Sequence, residues 1–160
     1  MAALAAPLGV FAIPGNHDYW TDIDVVMAAL RAAGLVLLRN ASHRLDVDGV
    51  PLWLVGVDDV WEQHNDLQAA LANVPVAEPA LLLVHEPDFA DEAVQTPHRI
   101  LLQLSGHSHG GQVHLPLLGR PILPWLGQKY PVGLGLVPGS TLQVYTSRGI
   151  GVIAPPVRFN

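Results

Sequence analysis

The sequence predicts a single α/β domain with helices packed on a mixed β-sheet. The chain has 160 residues, half of them apolar, which suits one folded domain. Short apolar runs bounded by Gly or Pro are typical of buried strands. Helix-like segments alternate with these runs in the first part of the chain, whereas strands and loops follow later, which favours the α/β class. Only 14% of the residues are charged, which excludes a disordered chain.

Five apolar runs predict the strands, because β-branched and other large apolar side chains dominate them. They cover residues 10–13, 51–57, 80–84, 100–104 and 142–146. Asp48-Gly49 separates two further apolar segments and predicts a two-residue hairpin turn.

Three segments have helical signals. Residues 22–33 predict a helix that Asp22 caps and Gly34 ends, with apolar side chains on one face. Residues 65–72 predict a second helix, and residues 87–94 a third with Pro in its first turn. Residues 2–6 read as the end of another helix. Residues 116–138 carry five Pro and four Gly, so we expect them to wrap the surface.

Composition and charge exclude several classes of protein. The absence of Cys excludes disulfides and thiolate metal sites. Eight Lys and Arg stand against fourteen Asp and Glu without a basic cluster, so we expect no nucleic-acid partner. No apolar run reaches the roughly 18 residues of a membrane span, and no basic segment of the secretory type opens the chain. We therefore expect a cytoplasmic or peripheral membrane protein.

Polar clusters follow three of the predicted strands. They are Gly-Asn-His-Asp at 15–18, His-Glu-Pro-Asp at 85–88 and Ser-Gly-His-Ser-His-Gly-Gly at 105–111. If the three strands are parallel neighbours, their carboxyl ends bring these clusters together. The clusters hold four of the eight His, together with oxygen donors that suit a transition metal. Jointly they predict a metal site.

Each cluster alone has an ordinary interpretation. Gly15-Asn16 is a common turn dipeptide, and a single His such as His85 is more often a hydrogen-bonded loop residue. His107 and His109 are two residues apart in a glycine-flanked loop and can point into one cavity. The remaining four histidines have no such context and are interpreted as surface or packing residues: His43, His64, His98 and His114.

The order of these motifs resembles the second half of the signature of calcineurin-like metallophosphoesterases. Longer matches at residues 15–20, 85–88, 106–113 and 145–151 are similar to one bacterial branch of that superfamily. This branch is often membrane-associated and includes phosphodiesterases similar to UDP-2,3-diacylglucosamine diphosphatase. The resemblance covers the chain from about residue 7 to its end.

The resemblance implies a four-layer α/β/β/α sandwich with mixed sheets and a pair of divalent metal ions, either manganese, iron or zinc. Asn16, His85 and His107 match ligands of one metal, and His109 matches a ligand of the other. Two metals can hold a bridging hydroxide in line with the phosphorus of a phosphodiester or diphosphate.

The same resemblance assigns the remaining roles. His17 matches the catalytic histidine that faces the phosphate and the leaving group, and Asp18 matches its orienting partner. Gln112 and Arg148 are further candidates for phosphate or substrate contacts, although a single Arg near a strand end is more often a structural ion pair.

Two upstream motifs of the family pattern, Asp-x-His and Gly-Asp-x-x-Asp, are not found before Gly15. Residues 55–59 echo the second motif in the wrong order. They read as a strand-end turn, with Asp59 as a residue that could line the site. We therefore expect residues 1–160 to be part of a phosphoesterase domain that lacks its N-terminal β-α-β portion and is incomplete at its C-terminus too. Such a chain keeps ligands mainly for one metal.

Three functions follow from this interpretation. The leading one is a metal-dependent hydrolase of a phosphate ester, with a lipid-linked nucleotide or a phospholipid as candidate substrates. The alternative is a non-catalytic or partner-dependent fragment that binds at most one metal. A zinc amidohydrolase is the third, but it leaves the Gly-Asn-His-Asp turn without a role. The apolar loop at 115–126, with Trp125, could face an acyl-bearing substrate or a membrane, or simply cover the sheet.

Overall fold

The computed structural model describes residues 4–159, which form eight strands and four α-helices. The strands are β1 Phe11–Ala12, β2 Val36–Leu37, β3 Ala41–Val47, β4 Val50–Gly56, β5 Ala80–Leu83, β6 Ile100–Ser105, β7 Gly133–Leu136 and β8 Gln143–Thr146. The helices are α1 Asn16–Thr21, α2 Ile23–Ala32, α3 Leu67–Leu71 and α4 Ala90–Ala93. Short 3-10 turns lie at Pro87–Phe89 and His109–Gly111.

The main sheet has six strands in the order β3-β4-β5-β6-β8-β7. Strands β4, β5, β6 and β8 are parallel, while β3 and β7 are antiparallel edge strands. This confirms the mixed α/β class. The carboxyl ends of β4, β5 and β6 therefore meet at one edge, where parallel sheets commonly bind ligands.

Strand β1 does not join this sheet. It pairs in parallel with β2 in a separate two-stranded sheet. The expectation that all three strands preceding the polar clusters are neighbours is therefore wrong for the first of them. Only β5 and β6 are neighbours, with Leu82 opposite Gln103 in the register.

Apolar side chains cover both faces of the main sheet, as the two-residue period of a strand requires. One cluster contains Val55, Leu82 and Val144 together with residues of α3 and α4. The other contains Leu54 and the buried Leu38, and Phe11 of the small sheet packs against it together with Ile13 and leucines of β4 and β5. The loop after β1 is thereby anchored beside the main sheet.

Local sequence signals predicted the positions of three helical segments. The carboxylate of Asp22 accepts hydrogen bonds from the N–H groups of Asp24 and Val25 at 3.1 Å, and α2 ends before Gly34, whose φ is +84°. The Asp48-Gly49 turn joins β3 to β4 as predicted. The second predicted helix is shorter, and the third is the 3-10 turn at Pro87–Phe89 followed by α4.

Other segments differ from the expectation. Residues 4–6 are not helical, while residues 2 and 3 of the predicted helix lie outside the described residues. Pro7 disfavours helical geometry in the residue before it, which explains the difference. The dipeptide Gly15-Asn16 begins helix α1 instead of an isolated turn, and β7 lies within the segment predicted only to wrap the surface. Across residues 4–159, no helix is long and apolar enough to cross a membrane.

Candidate metal and phosphate site

The three polar clusters converge on one place although β1 lies in a different sheet. The rings of His85 and His107 have centroids 5.0 Å apart. Gly15 packs directly against the first of these rings, because a Cβ at Gly15 would lie 2.8 Å from His85 Cγ and Nδ1. A glycine is needed there for steric reasons, since any larger residue would push the imidazole away. The Gly-Asn-His-Asp motif thus contacts the strand-end histidines.

Three side chains at the edge of the sheet could hold a metal ion. One potential ligand atom from each of His85, Glu86 and His107 lies within 4.8 Å of the other two. The Nε2 of His107 lies 2.8 Å from the carbonyl oxygen of Trp125, so this nitrogen donates and Nδ1 keeps its lone pair. A carbonyl that fixes the tautomer of a histidine in this way is a common support for metal ligands.

Burial keeps both histidines neutral. It lowers the pKa of His85 to about 3, with His107, His17 and His109 adding repulsion. Burial also lowers the pKa of His107. Only the neutral imidazole has a lone pair for a metal, so at neutral pH both rings are in the ligand form.

Asn16 provides an oxygen beside these rings. The residue is 3% exposed, and its Oδ1 is buried without a hydrogen-bond partner among the described residues. An unsatisfied buried oxygen is costly unless a donor or a cation reaches it. Asn16 lines a cavity of about 440 Å³ together with His17, His107 and His109. Its amide and the neutral imidazoles are a donor set that suits a divalent transition metal.

His17 is exposed in the first turn of α1, where its ring packs on Trp20 with centroids 4.7 Å apart. It lines the 440 Å³ cavity and a second cavity of about 420 Å³ that also includes His85. The Asp18 carboxylate accepts a hydrogen bond from the Gly15 N–H at 2.8 Å. This hydrogen bond of Asp18 therefore caps α1. The resemblance implied a contact of Asp18 with the ring of His17 instead.

His109 lies in both cavities but outside the group of three close ligand atoms. Its Nδ1 is 3.3 Å from the carbonyl oxygen of Gly151 and donates to it, which leaves the lone pair on Nε2. His107 and His109 have φ of +64° and +50°, a conformation that costs free energy in residues other than Gly. The glycine loop therefore holds both histidines in uncommon backbone geometry.

A buried carboxyl pair, Asp59 and Glu86, lies beside the ligands. Burial raises the pKa of Glu86 to about 8, and a hydrogen bond with Asp59 and its charge add to the increase. Glu86 Oε1 and Asp59 Oδ2 are buried without a hydrogen-bond partner among residues 4–159, and a proton shared by the two carboxyls would satisfy both. Sequence analysis did not select Glu86. Its position after β5, beside the carboxylates that follow β4, was the available signal.

Two residues predicted to contact substrate have other contacts in the structure. Gln112 donates from Nε2 to the carbonyl oxygen of Ile153 at 3.2 Å and accepts from the Ile153 N–H through Oε1. Its amide therefore fastens the C-terminal segment, although the residue also lines the 440 Å³ cavity. Arg148 lines a different cavity, of about 430 Å³, with residues 132–133 and 145–149.

Aromatic and aliphatic side chains form one wall of the 440 Å³ cavity. Trp61 makes edge contacts with His107 and Trp125, each with centroids 5.5 Å apart. The wall also includes Trp20, Ile122, Leu123, Pro124, Ile153, Ala154, Pro155 and Val157. Asp88 holds the neighbouring loop, since its carboxylate accepts backbone N–H groups of residues 128–130. Sequence analysis did not select Trp20 or Trp61 because the motifs gave them no role.

The other histidines lie outside the two cavities that hold His17. His43 packs near Phe11, and His64 stacks on Tyr19. His98 bonds to Thr96 and to the carbonyl of Val74, and His114 contributes its N–H to the backbone of Phe159.

The metal-free chain is expected to be most stable between about pH 4.5 and 6.5. As pH falls below 6.5, the unfolded state protonates His85 before the folded state does, because the folded pKa is about 3, and stability is lost. As pH rises above 4.5, the unfolded state releases the Glu86 proton, which the folded state keeps to about pH 8, and stability is again lost. Between these limits the two effects oppose each other.

Urea unfolding in EDTA at pH 4, 5.5 and 8 measures this dependence. Outside the plateau each group contributes a slope of about 1.4 kcal/mol per pH unit. Glu86→Gln should remove the loss on the alkaline side and leave the loss on the acid side. Stability that rises steadily from pH 5.5 to 8 would contradict the assignment.

The chain is similar in sequence to several known metallophosphoesterases. The chain is 37% identical over 158 residues to the uncharacterized metallophosphoesterase YkuE of Bacillus subtilis, covering 98% of the chain and 54% of the relative. It is 32% identical over 155 residues to the phosphodiesterase YaeI of Escherichia coli, covering 94% and 54%. A transmembrane protein with metallophosphoesterase domain from Bos taurus is 32% identical over 172 residues, covering 99% and 38%.

The chain thus spans about half the length of the two bacterial relatives. No protein-family profile matches the chain. No solved structure matches it either.

Proposed function

Since this chain belongs to the calcineurin-like metallophosphoesterases, we propose that it carries part of the active site of a metal-dependent hydrolase of phosphodiesters or diphosphates. The observation that carries the proposal is the contact between two neutral histidines, one of which shares a cavity with the buried Asn16 oxygen, an atom without a hydrogen-bond partner among residues 4–159. His85 and His107 follow the adjacent strands β5 and β6 of one sheet, whereas Asn16 begins helix α1, which follows β1 of the small sheet.

We assign Asn16, His85 and His107 as ligands of one divalent metal and His109 as a ligand of a second. Manganese, iron and zinc all accept imidazole and amide oxygen donors. When bound, such ions polarise a phosphate and lower the pKa of a water nucleophile toward neutrality. Glu86 is less suited to ligation than Asn16, because its carboxyl is already satisfied by Asp59 when protonated.

His17 is the proposed general acid. Its exposed ring lies on the rim of both cavities and next to the ligands, so it can face a phosphate and its leaving group. It would protonate or stabilise the departing oxygen. Asp18 would act on His17 through the start of α1, because its carboxylate holds the Gly15 N–H in the preceding turn.

The residues assigned here give three donors to one metal and one donor to the second, fewer than the four or more that a metal site commonly needs. We propose that the remaining ligands, including the carboxylate that bridges two metals in this family, come from outside residues 1–160. The complete domain would then be the four-layer α/β/β/α sandwich, to which this chain contributes its mixed sheet. The 54% coverage of the relatives supports this proposal.

A second candidate is a non-catalytic or partner-dependent fragment that binds at most one metal. The observation in its favour is that residues 4–159 contain one group of three close His or carboxylate ligand atoms. A lone His109 would hold a second ion weakly, because metal sites commonly need four or more donors.

The candidate substrate class is a phosphate ester that carries an apolar group. The cavity beside His17 is walled largely by Trp, Ile, Leu, Pro and Val side chains, which suit an acyl or other hydrocarbon group better than a sugar. A lipid-linked nucleotide or a phospholipid has both parts. Peripheral contact with a membrane would give access to such a substrate.

Metal analysis combined with turnover of bis-p-nitrophenyl phosphate in manganese tests the two candidates. We expect at least one manganese per chain and turnover above that of the EDTA-treated protein. One metal or none, with no turnover above the EDTA baseline, would favour the non-catalytic fragment. Addition of an upstream segment from a homologous phosphoesterase then measures whether the missing ligands restore activity.

A further inference from the structure

The charges of this chain are segregated along the sequence. All fourteen Asp and Glu lie at or before Glu92, so residues 93–160 contain no acid. This acid-free segment carries five of the eight Lys and Arg: Arg99, Arg120, Lys129, Arg148 and Arg158. Lys129 is paired with Asp91 at 2.7 Å, so the excess positive charge of this segment comes from its arginines. Such an excess attracts anionic surfaces.

An apolar hairpin projects from the acid-free segment. The N–H of Leu115 donates to the carbonyl of Gly119 at 2.7 Å, and the Gly119 N–H donates back at 2.9 Å. The intervening Leu117 and Leu118 are 106% and 75% exposed, so both side chains stand in solvent at the tip. Adjacent leucines this exposed are uncommon on a protein that has no apolar partner.

More apolar side chains continue the hairpin toward the proposed active site. Ile122 is 72% exposed and Trp125 is 57% exposed. Ile122 also lines the 440 Å³ cavity that contains His17 and His107. The exposed apolar surface is therefore continuous with the wall of that cavity.

Arginines surround the base of the hairpin. Arg120 donates from Nε to the carbonyl of Gly110 at 2.9 Å, and Arg158 donates to the carbonyls of His109 and Gly151 at 3.1 and 2.8 Å. Hydrogen bonds to carbonyls fix a guanidinium but do not neutralise its charge. The Arg148 stem packs at the same loop, since a Cβ at Gly110 would lie 2.9 Å from Arg148 Cγ.

We propose that the hairpin at residues 115–119, with Ile122 and Trp125, docks this protein on an anionic lipid bilayer. Leucine and tryptophan side chains next to arginines are the composition that enters the boundary between headgroups and acyl chains. The positive charge of the segment complements anionic headgroups, and it favours lipid over an uncharged apolar protein surface. Docking itself is independent of hydrolysis, whereas the delivery of a lipid phosphoester to the cavity rests on the proposed function.

Vesicle co-sedimentation of the 160-residue chain tests the proposal without turnover. We expect binding to phosphatidylcholine vesicles that contain phosphatidylglycerol, and weaker binding at high salt, because counterions screen the attraction. Leu117→Ser with Leu118→Ser should reduce the partition coefficient at least about 10-fold. Neither leucine is an assigned ligand or lines the two cavities that contain His17, so turnover of the soluble diester should not change.

Leu134→Ser with Leu136→Ser is the matched control, since these leucines of β7 are also exposed and lie in the same acid-free segment. The control should bind vesicles as the parent chain does, and circular dichroism establishes that both double variants are folded. Equal binding to pure phosphatidylcholine would overturn the proposal. So would absence of binding by the parent chain, or equal loss in both double variants.

Discussion

Replacement of His17 by Asn is expected to lower turnover of bis-p-nitrophenyl phosphate by about 10²- to 10⁴-fold, the usual contribution of a general acid. Asn keeps a polar side chain of similar size but cannot transfer a proton near neutral pH. The ring is exposed and packs at a tilt of 47° on Trp20, which is exposed too, so the fold should tolerate the change. Metal content should be unchanged, because His17 is not assigned as a ligand.

His43→Asn provides the matched control for this variant. His43 is also an exposed histidine, but it lies on β3 near Phe11 and away from both cavities. Its substitution should leave turnover and metal content as they are. If His17→Asn kept full activity, or lost metal together with activity, His17 would have no role as a general acid.

The second large effect is expected for His85→Ala, which should weaken manganese binding by more than about 100-fold in isothermal titration calorimetry. Changes to groups that merely support metal ligands cost 10- to 100-fold, and removal of a ligand costs more. His85 is neutral and lies against His107, so its loss takes a nitrogen donor from the centre of the group.

His98→Ala separates loss of a ligand from loss of structure. The imidazole of His98 is also hydrogen-bonded, to Thr96 and to the carbonyl of Val74, but it lies outside the proposed site. This variant should lose some stability and keep its manganese affinity. Retention of full affinity by His85→Ala would remove the metal site from the proposed function.

His17→Asn and His85→Ala together also distinguish the candidate functions. A hydrolase loses turnover in both, but it loses metal only in His85→Ala. A non-catalytic fragment loses metal in His85→Ala, while His17→Asn changes nothing that can be measured. The combination therefore reports on the chemistry and on the metal separately.

Local signals were sufficient for much of the fold. The Asp48-Gly49 turn and the Asp22 cap depend on neighbours within three residues, so the sequence contains all of their determinants. Strand β2 has only two residues and was not predicted, because its pairing partner Phe11 lies far away in the chain.

The motif residues were found from the sequence, but their surroundings were not. Asn16, His85 and His107 follow apolar runs, a pattern that is visible without coordinates. The raised pKa of Glu86, in contrast, depends on its burial and on the approach of Asp59 from the loop after β4. The hydrogen bond from the Gly15 N–H to the Asp18 carboxylate was not predicted either.

The α/β class, the family and the histidines at the strand ends could be predicted without coordinates, since apolar period and motif order are properties of the chain. Tertiary packing, in contrast, determines which side chains meet. It placed β1 in a second sheet, joined the carboxyls of Glu86 and Asp59, and set the tryptophan wall beside His17. These outcomes depend on distances between residues remote in sequence, which packing fixes and local propensity does not.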